Sequence, residues 1–174
     1  MDTALERARG LKLMAFDVDG VLTDGALYLT DAGEEMKRFH TLDGLGLKLL
    51  AEAGVGLALI TGRSSRVVVK RAAELGITHL FQGAEDKLAI LEGLRARLGL
   101  DLSACGYMGD DLPDLPLLVR CGFAATVPDA PEVVRARAHY VSRRSAGRGA
   151  VREVCEVILA AQDALEGAVR RYLA

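Results

Sequence analysis

Two carboxylates, Asp17 and Asp19, directly follow a short apolar run at residues 11–16. The run is typical of a buried strand, and ligands of open α/β sheets bind beyond the C-terminal ends of strands. Residues 13–24 contain no Lys or Arg, and two like charges about 4 Å apart repel by roughly 1 kcal/mol in water and about 4 kcal/mol near a protein surface. A bound Mg²⁺ would remove that repulsion, although such a pattern alone is more often a solvated turn.

Three later stretches also follow apolar runs and carry groups suited to phosphate chemistry. Thr61 follows residues 55–60, Lys87 opens a helical pattern, and Asp110 and Asp111 follow a third run. A hydroxyl and an ammonium group can stabilise the negative charge on phosphoryl oxygens. Taken singly, each has a structural alternative: a turn before a helix for Thr61, a solvated helix end for Lys87, and helix capping for the two carboxylates.

In order and spacing, these groups resemble the four motifs of the haloacid dehalogenase-like (HAD) phosphatases across residues 11–114. The resemblance implies that Asp17 attacks phosphorus and forms an aspartyl-phosphate. It also implies that Asp19 protonates the leaving alkoxide and then deprotonates the attacking water. Thr61 and Lys87 would bind the phosphoryl oxygens.

The same resemblance implies a magnesium site. Its ligands would be the carboxylates of Asp17 and Asp110 and the backbone carbonyl of Asp19. Two further carboxylates would orient the metal's water ligands and Lys87; these are Asp111 and Asp114.

The alternation of apolar runs and amphipathic segments predicts one α/β domain spanning residues 1–174. The expected strands are residues 11–16, 55–60, 80–81, 105–108, 123–127 and 139–141. The expected helices are residues 2–10, 44–53, 66–75, 87–98, 112–120, 131–137 and 150–173. Asp43 is predicted to cap the second helix, and the leucines of the fourth are predicted to point inward: Leu88, Leu91, Leu94 and Leu98. By resemblance, this is a HAD-like Rossmannoid three-layer sandwich with a mostly parallel sheet.

Residues 26–39 predict a β-hairpin that projects from the sheet, because apolar residues alternate on both sides of a turn sequence. HAD enzymes usually carry a cap domain after the first or second motif. Residues 20–60 and 62–86 are too few for one here. A capless enzyme must act on a macromolecule or obtain its lid from another subunit, and a subunit contact would also cover the hairpin's exposed edges.

These features resemble the 3-deoxy-D-manno-octulosonate 8-phosphate (KDO 8-phosphate) phosphatases of lipopolysaccharide sugar synthesis. The matching stretches cover almost the whole chain and include FDVDGVLTDG, ITGR, LGITHLFQG, GDDLPD and GRGAVREVCEVIL. The resemblance implies a homotetramer assembled through the hairpins and a tail, residues 142–149, that can fold over a neighbouring site. Ala146 stands where the family usually has the tail's first glycine.

An anionic sugar phosphate is the substrate class that the resemblance implies. Arg63 could bind a substrate carboxylate through two parallel hydrogen bonds, and His40, near the hairpin, is a further possible site residue. The residues predicted to bind the substrate are Gly62, Arg63, Asp43, Gly44 and Arg148.

Two other functions fit part of the pattern. A phosphatase for a nine-carbon acid sugar phosphate, 2-keto-3-deoxynononate 9-phosphate, shares the same motifs. A phospho-acceptor receiver domain also combines Asp, Thr and Lys on an α/β fold, but its acceptor Asp follows the third strand. Here no Asp ends the strand at residues 80–81, so the phosphatase is favoured.

Composition excludes several other classes. The net charge of −2 does not suggest a nucleic-acid binder, and no apolar run approaches the roughly 20 residues of a membrane span. The three cysteines are unclustered and are expected to be reduced and buried. No apolar signal-peptide segment follows Met1, so a cytoplasmic protein is expected.

Overall fold

The central feature of the computed structural model, which describes residues 2–173, is a six-stranded sheet in the order β5-β4-β1-β6-β7-β8. Every neighbouring pair is parallel. A separate two-stranded antiparallel hairpin is formed by β2 and β3. The strands are β1 (Leu13–Phe16), β2 (Tyr28–Leu29), β3 (Glu35–Met36), β4 (Gly56–Ile60), β5 (His79–Phe81), β6 (Cys105–Met108), β7 (Phe123–Thr126) and β8 (Tyr140–Val141).

The helices cover both faces of the sheet. Crossovers between parallel strands are right-handed, and the chain moves outward from β1 in opposite directions in its two halves. The helices after β1 and β4 therefore lie on one face, and those after β5, β6 and β7 on the other. The helices are α1 (Asp2–Arg9), α2 (Thr41–Glu52), α3 (Arg66–Glu74), α4 (Lys87–Leu98), α5 (Leu115–Leu118), α6 (Glu132–Arg135), α7 (Ala150–Ala161) and α8 (Leu165–Arg170).

This arrangement confirms the predicted mostly parallel α/β sandwich with a projecting hairpin. β1 lies between β4 and β6 in the middle of the sheet, and all four of its side chains, Leu13 to Phe16, are completely buried, as expected for a parallel strand covered on both faces. Between Thr61 and Lys87 the chain forms only α3 and β5, so no cap domain is present in that interval. No described helix is both long and apolar enough to cross a membrane.

Strand register brings the chemical groups to one edge of the sheet. Phe16 is in register with Leu59 of β4 and with Met108 of β6. The residues that follow these strands are therefore neighbours. Because β4 and β6 flank β1 on opposite sides, this edge is also the point where strand order reverses, which is the usual ligand site of such sheets.

Helix α2 begins earlier than predicted, and Asp43 does not cap it. The N-cap is His40, whose Nδ1 accepts a hydrogen bond from the Leu42 amide. Asp43 lies inside the first turn, is buried, and accepts from the Gly149 and Arg152 amides at 3.3 and 2.8 Å. Asp43 therefore stabilises the N-terminus of α7, a long-range contact that local sequence does not reveal.

The prediction of one C-terminal helix over residues 150–173 is wrong, because the helix is interrupted between α7 and α8. Asp163 takes a left-handed conformation with φ of 54°. The Ala164 amide then donates to the Leu159 carbonyl at 2.8 Å. Such a turn ends helices, usually with glycine in place of Asp.

Two smaller corrections concern α4 and α5. Leu98 is 43% exposed rather than inward, because it is the last residue of α4, before the C-cap Gly99. The segment after Asp111 begins as one 3₁₀ turn at Leu112–Asp114, and only Leu115–Leu118 is α-helical. All three cysteines are free and buried, as predicted.

Candidate active site

Asp17 lies at the end of β1 in the floor of a cavity of about 350 Å³. It is only 8% exposed. Its Oδ1 accepts from the Val18 amide at 2.7 Å, and its Oδ2 accepts from Lys87 Nζ at 2.6 Å. Burial and the nearby Asp114 charge raise the pKa of Asp17 to about 6. The carboxylate is thus fixed in orientation and held at an energetic cost, as expected for a group with a chemical task.

Lys87 is the first residue of α4, where a cation is unfavourable because of the helix dipole. Burial lowers the proton affinity of its amine, but the Asp17 and Asp114 carboxylates more than offset this and raise the pKa of Lys87. Its ammonium group is therefore charged while it faces the cavity. Asp86, the residue before it, satisfies the helix end by accepting from the Ala89 amide at 2.9 Å.

Asp114 connects the two halves of the site. Its Oδ1 accepts from Lys87 Nζ and from the Tyr107 hydroxyl, both at 2.7 Å. Its Oδ2 accepts from the amides of Asp110 and Asp111 at 2.9 and 3.2 Å. Both oxygens are thus occupied by donors, which makes Asp114 a group that positions Lys87 and the Asp110 loop.

Asp17 and Asp110 offer the carboxylate oxygens that a metal would need. Asp17, Asp110 and Asp114 each place a carboxylate oxygen within 4.8 Å of the others. Each Asp114 oxygen already accepts two hydrogen bonds, whereas each Asp17 oxygen accepts only one, so Asp17 and Asp110 are the better ligands. Among the described residues, buried Asp110 Oδ1 has no hydrogen-bond partner, and burial together with the Asp17 charge raises the pKa of Asp110 to about 7. An unpaired oxygen and two repelling carboxylates fit a hard divalent cation.

Gly20 permits the two strand ends to approach this closely. Its φ is +86°, and a Cβ at this position would overlap the carboxylate of Asp110. Any side chain here would therefore push Asp110 away from Asp17. Gly20 is thus required both by the turn and by the close approach of the Asp17 and Asp110 carboxylates.

Thr61 and Arg63 enter the cavity from the loop after β4. Thr61 is 2% exposed. Its amide donates to the Phe81 carbonyl and its carbonyl accepts from the Ala84 amide, both at 3.0 Å. Arg63 is about half exposed at the rim, with Nε 3.8 Å from Asp19 Oδ2. Thr61 is therefore rigidly placed, whereas Arg63 keeps freedom to meet a ligand.

Lys37 and Tyr107 also belong to this site, although neither is among the site residues predicted from the sequence. Lys37 follows β3 and forms an ion pair with Asp19. Tyr107 lies within β6, is completely buried and donates to Asp114. For Tyr107 a signal was available, since a tyrosine in a buried strand must satisfy its hydroxyl. For Lys37 there was none, because the hairpin's orientation does not follow from local sequence.

The cavity brings together nine of the sequence-predicted site residues, namely Asp17, Asp19, Thr61, Gly62, Arg63, Lys87, Asp110, Asp111 and Asp114. Asp111 also caps the 3₁₀ turn by accepting from the Leu112 amide at 2.8 Å. Asp43 and Gly44 are buried in α2, and this geometry does not support their contact with substrate. Arg148 instead lines an adjoining cavity of about 510 Å³, which shares Asp110 and Asp111 with the first.

Comparison with known proteins identifies close relatives. No protein-family model matches the chain. The chain is 46% identical over 167 residues to the 3-deoxy-D-manno-octulosonate 8-phosphate phosphatase of Yersinia pestis, covering 96% of this chain and 89% of the relative.

Solved structures agree with this likeness. A probable phosphatase of the YrbI family from Pseudomonas syringae has a TM-score of 0.99 and 49% identity, with 100% of this chain and 99% of that chain covered. The 3-deoxy-D-manno-octulosonate 8-phosphate phosphatase of Moraxella catarrhalis, in complex with magnesium, phosphate and KDO, has a TM-score of 0.97 and 47% identity, with 99% of each chain covered.

Proposed function

Because this chain belongs to the 3-deoxy-D-manno-octulosonate 8-phosphate phosphatase family of the HAD superfamily, we propose that it hydrolyses KDO 8-phosphate to KDO and phosphate with Mg²⁺. The main observation in support of this function is that one cavity is lined by Asp17, Lys87, Asp110 and Asp114, in a chain that is similar to these enzymes over almost its whole length. The nine-carbon sugar phosphate and the receiver domain are not favoured by the relatives.

The first chemical step transfers the phosphoryl group to the protein. A carboxylate oxygen of Asp17 attacks phosphorus, and the bond to the sugar oxygen breaks. Lys87 and Thr61 stabilise the charge on the phosphoryl oxygens from fixed positions. Asp19 gives a proton to the departing sugar oxygen.

The second step regenerates the enzyme. Asp19 removes a proton from water, the water oxygen bonds to phosphorus, and the bond to Asp17 breaks. Asp17 and Asp110, with the backbone carbonyl of Asp19, would hold Mg²⁺, which when bound neutralises charge between the nucleophile and the phosphoryl group. Asp114 keeps Lys87 and the Asp110 loop in place through both steps.

A substrate panel tests this function. We expect Mg²⁺-dependent kcat/KM to be highest for KDO 8-phosphate when it is compared with 2-keto-3-deoxynononate 9-phosphate, glucose 6-phosphate and p-nitrophenyl phosphate. Chelation should stop all turnover. A higher kcat/KM for the nine-carbon sugar would overturn the substrate assignment, and an absence of turnover on every compound would overturn the phosphatase itself.

We infer further that residues 1–174 act as one domain within a homotetramer formed through the hairpins. Leu27, Leu29 and Met36 of the hairpin are 51%, 62% and 62% exposed. Strands of two residues are marginal by themselves in water, and exposed apolar edges promote pairing. A contact with hairpins of other copies would stabilise these strands and cover their apolar side chains.

Replacing Leu27 and Leu29 with Lys should dissociate the assembly, because like charges would then meet across the contact. Sedimentation velocity should show a smaller species than the wild type, and kcat/KM for KDO 8-phosphate should fall. Val169→Lys on α8 is a matched control, since Val169 is also partly exposed at 42%. An unchanged sedimentation coefficient in the double variant would contradict the hairpin assembly.

The loop of residues 144–149 is proposed to help close the site. The Gly147 amide donates to the Val21 carbonyl at 3.2 Å. Arg148 lines the adjoining cavity of about 510 Å³, which also includes Asp110 and Asp111. Deleting the tail from residue 145 is no test, because α7 contributes six completely buried side chains to the core: Ala150, Val151, Val154, Cys155, Ile158 and Leu159.

A single substitution tests the loop instead. Arg148→Ala should raise KM for KDO 8-phosphate about 10-fold, the loss of one charged hydrogen bond, and leave KM for p-nitrophenyl phosphate unchanged. Arg120→Ala, at an exposed position outside both cavities, is the control. Equal KM values for the Arg148 variant and the wild type would remove Arg148 from the sugar site.

We also place the protein in the cytoplasm. Its three cysteines are free and buried, and reduced thiols are typical of cytosolic proteins.

A further inference from the structure

We propose that Lys37 is a positioning residue that fixes which oxygen of Asp19 exchanges a proton with the substrate. This inference rests on the proposed function. Lys37 is carried by the hairpin, which lies outside all four HAD motifs, yet its ammonium group reaches the carboxylate two residues beyond the nucleophile. Its Nζ donates to Asp19 Oδ1, and the Lys37 side chain is only 2% exposed.

Four alternating charges form a ring at the mouth of the cavity. Lys37 pairs with Asp19 and also with Glu35 Oε1 at 3.1 Å. Arg63 Nη2 lies 3.5 Å from the same Glu35 oxygen, and Arg63 Nε lies 3.8 Å from Asp19 Oδ2. The ring joins the hairpin, the end of β1 and the loop after β4. The two cations balance the two carboxylates, so the buried ammonium group is compensated.

The hydrogen bond from Lys37 distinguishes the two oxygens of Asp19. An ammonium group has only donors, so Oδ1 accepts whether Asp19 is ionised or protonated. The carbonyl oxygen of a protonated carboxyl group is a stronger acceptor than its hydroxyl oxygen, so a proton on Asp19 is favoured on Oδ2. That oxygen is buried and has no hydrogen-bond partner among residues 2–173, and the Arg63 nitrogen at 3.8 Å is too far away to donate to it.

This assignment places both proton transfers on one atom. In the first step Oδ2 gives its proton to the sugar oxygen as the bond from that oxygen to phosphorus breaks. In the second step Oδ2 accepts a proton from the water whose oxygen bonds to phosphorus. Lys37 holds Oδ1 throughout, so the carboxyl group keeps the same orientation in both steps.

The position of the hairpin therefore affects the proton transfers made by Asp19. Lys37 directly follows β3, whose two residues gain little stability from pairing with β2 alone. Any contact that orders the hairpin also orders Lys37, and through it Asp19. Loss of the hairpin contact should therefore affect substrates that need leaving-group protonation more than those that do not.

The test compares a sugar phosphate with an aryl phosphate. Nitrophenolate leaves without protonation, whereas a sugar alkoxide needs a proton. A single turnover reports the first step alone, before the second step that both substrates share. In a single turnover we expect Lys37→Met to lower the rate of sugar release from KDO 8-phosphate by about 10-fold or more, part of the 10²–10⁴ typical of a general acid. The single-turnover rate of nitrophenolate release from p-nitrophenyl phosphate should change by less than about 3-fold. Lys37→Arg, which keeps a cationic donor, should give a ratio of the two rates nearer to that of the wild type.

Controls separate orientation from stability and assembly. Lys48→Met, at an exposed position of α2, should behave like the wild type, and sedimentation should show whether the Lys37 variants assemble. Equal losses on the two substrates, or no loss on either, would overturn the positioning role. If Lys37→Met does not fold, Lys37→Ala decides by the same ratio, since it also removes the ammonium group that holds Asp19 Oδ1.

The proposed function can fail independently. If the wild type hydrolyses p-nitrophenyl phosphate but not KDO 8-phosphate, the substrate assignment fails. The Lys37 comparison is then made with glucose 6-phosphate or another alkyl phosphate that the enzyme turns over.

Discussion

Replacing Asp17 with Asn is expected to lower kcat for KDO 8-phosphate by at least about 10³-fold, the scale typical when a covalent nucleophile is removed. An amide cannot attack phosphorus, whereas the fold should persist. The amide oxygen of Asn can still accept from the Val18 amide, which now donates to Asp17 at 2.7 Å. Steady-state kinetics on protein free of wild-type contamination measures the loss.

The control for this variant is Asp101→Asn. Asp101 is exposed and its side chain caps no helix, so turnover should be unchanged. A circular dichroism melt of the Asp17 variant would exclude unfolding as the cause of the loss. Retention of more than a small percentage of wild-type kcat would show that another group attacks phosphorus.

The second large effect is expected for Asp110→Asn, which should abolish turnover and yet stabilise the metal-free protein at pH 8. Burial first, and the charge of Asp17 second, raise the pKa of Asp110 to about 7 from its ordinary 3.8. Burial and the Asp114 charge raise the pKa of Asp17 to about 6. The folded metal-free protein thus binds more protons than the unfolded chain between about pH 4 and 7.

The sign of the pH dependence follows from that difference. Stability of the metal-free wild type should fall as pH rises through this window, since the fold must then hold two charged carboxylates together. The asparagine amide of the variant carries no charge, so the variant should melt at least about 3 °C higher at pH 8, or about 1 kcal/mol. The gain should be smaller at pH 5, where the wild-type carboxyls are largely protonated.

With Mg²⁺ present, the melting temperature of the wild type should exceed that of the Asp110 variant. Mg²⁺ should raise the melting temperature of the wild type more at pH 8 than at pH 5, because the ion binds the ionised pair. The Asp110 variant should gain little. Differential scanning calorimetry with and without Mg²⁺ at both pH values measures all four shifts. An equal magnesium shift in variant and wild type would remove Asp110 from the metal site.

The elements that position the site could be predicted from the sequence because strand ends and motif residues are local signals. The apolar run before Asp17 and the runs before Thr61 and Asp110 each mark a buried strand. Parallel register then brings their ends together. Lys87 was placed correctly at the first residue of α4, since its helix starts with a capping Asp86 and continues in regular periodicity.

The features that local sequence does not reveal depend on contacts between distant segments of the chain. Lys37 reaches Asp19 only because the chain that follows β3 lies beside the end of β1. Asp43 looked like a cap for its own helix but instead holds the start of α7, more than 100 residues later. The break at Asp163 was missed because a non-glycine residue takes the left-handed conformation there. In each case tertiary packing decides among options that local propensity leaves open.

The attack of Asp17 on phosphorus can be observed directly by acid quench. The wild type is mixed with Mg²⁺ and KDO 8-phosphate carrying radiolabelled phosphorus, in a single turnover, and stopped in acid at millisecond intervals. Labelled protein should form before labelled inorganic phosphate, be released by hydroxylamine, and map to the peptide that contains Asp17. Release of inorganic phosphate without labelled protein, or a label on another residue, would contradict the mechanism.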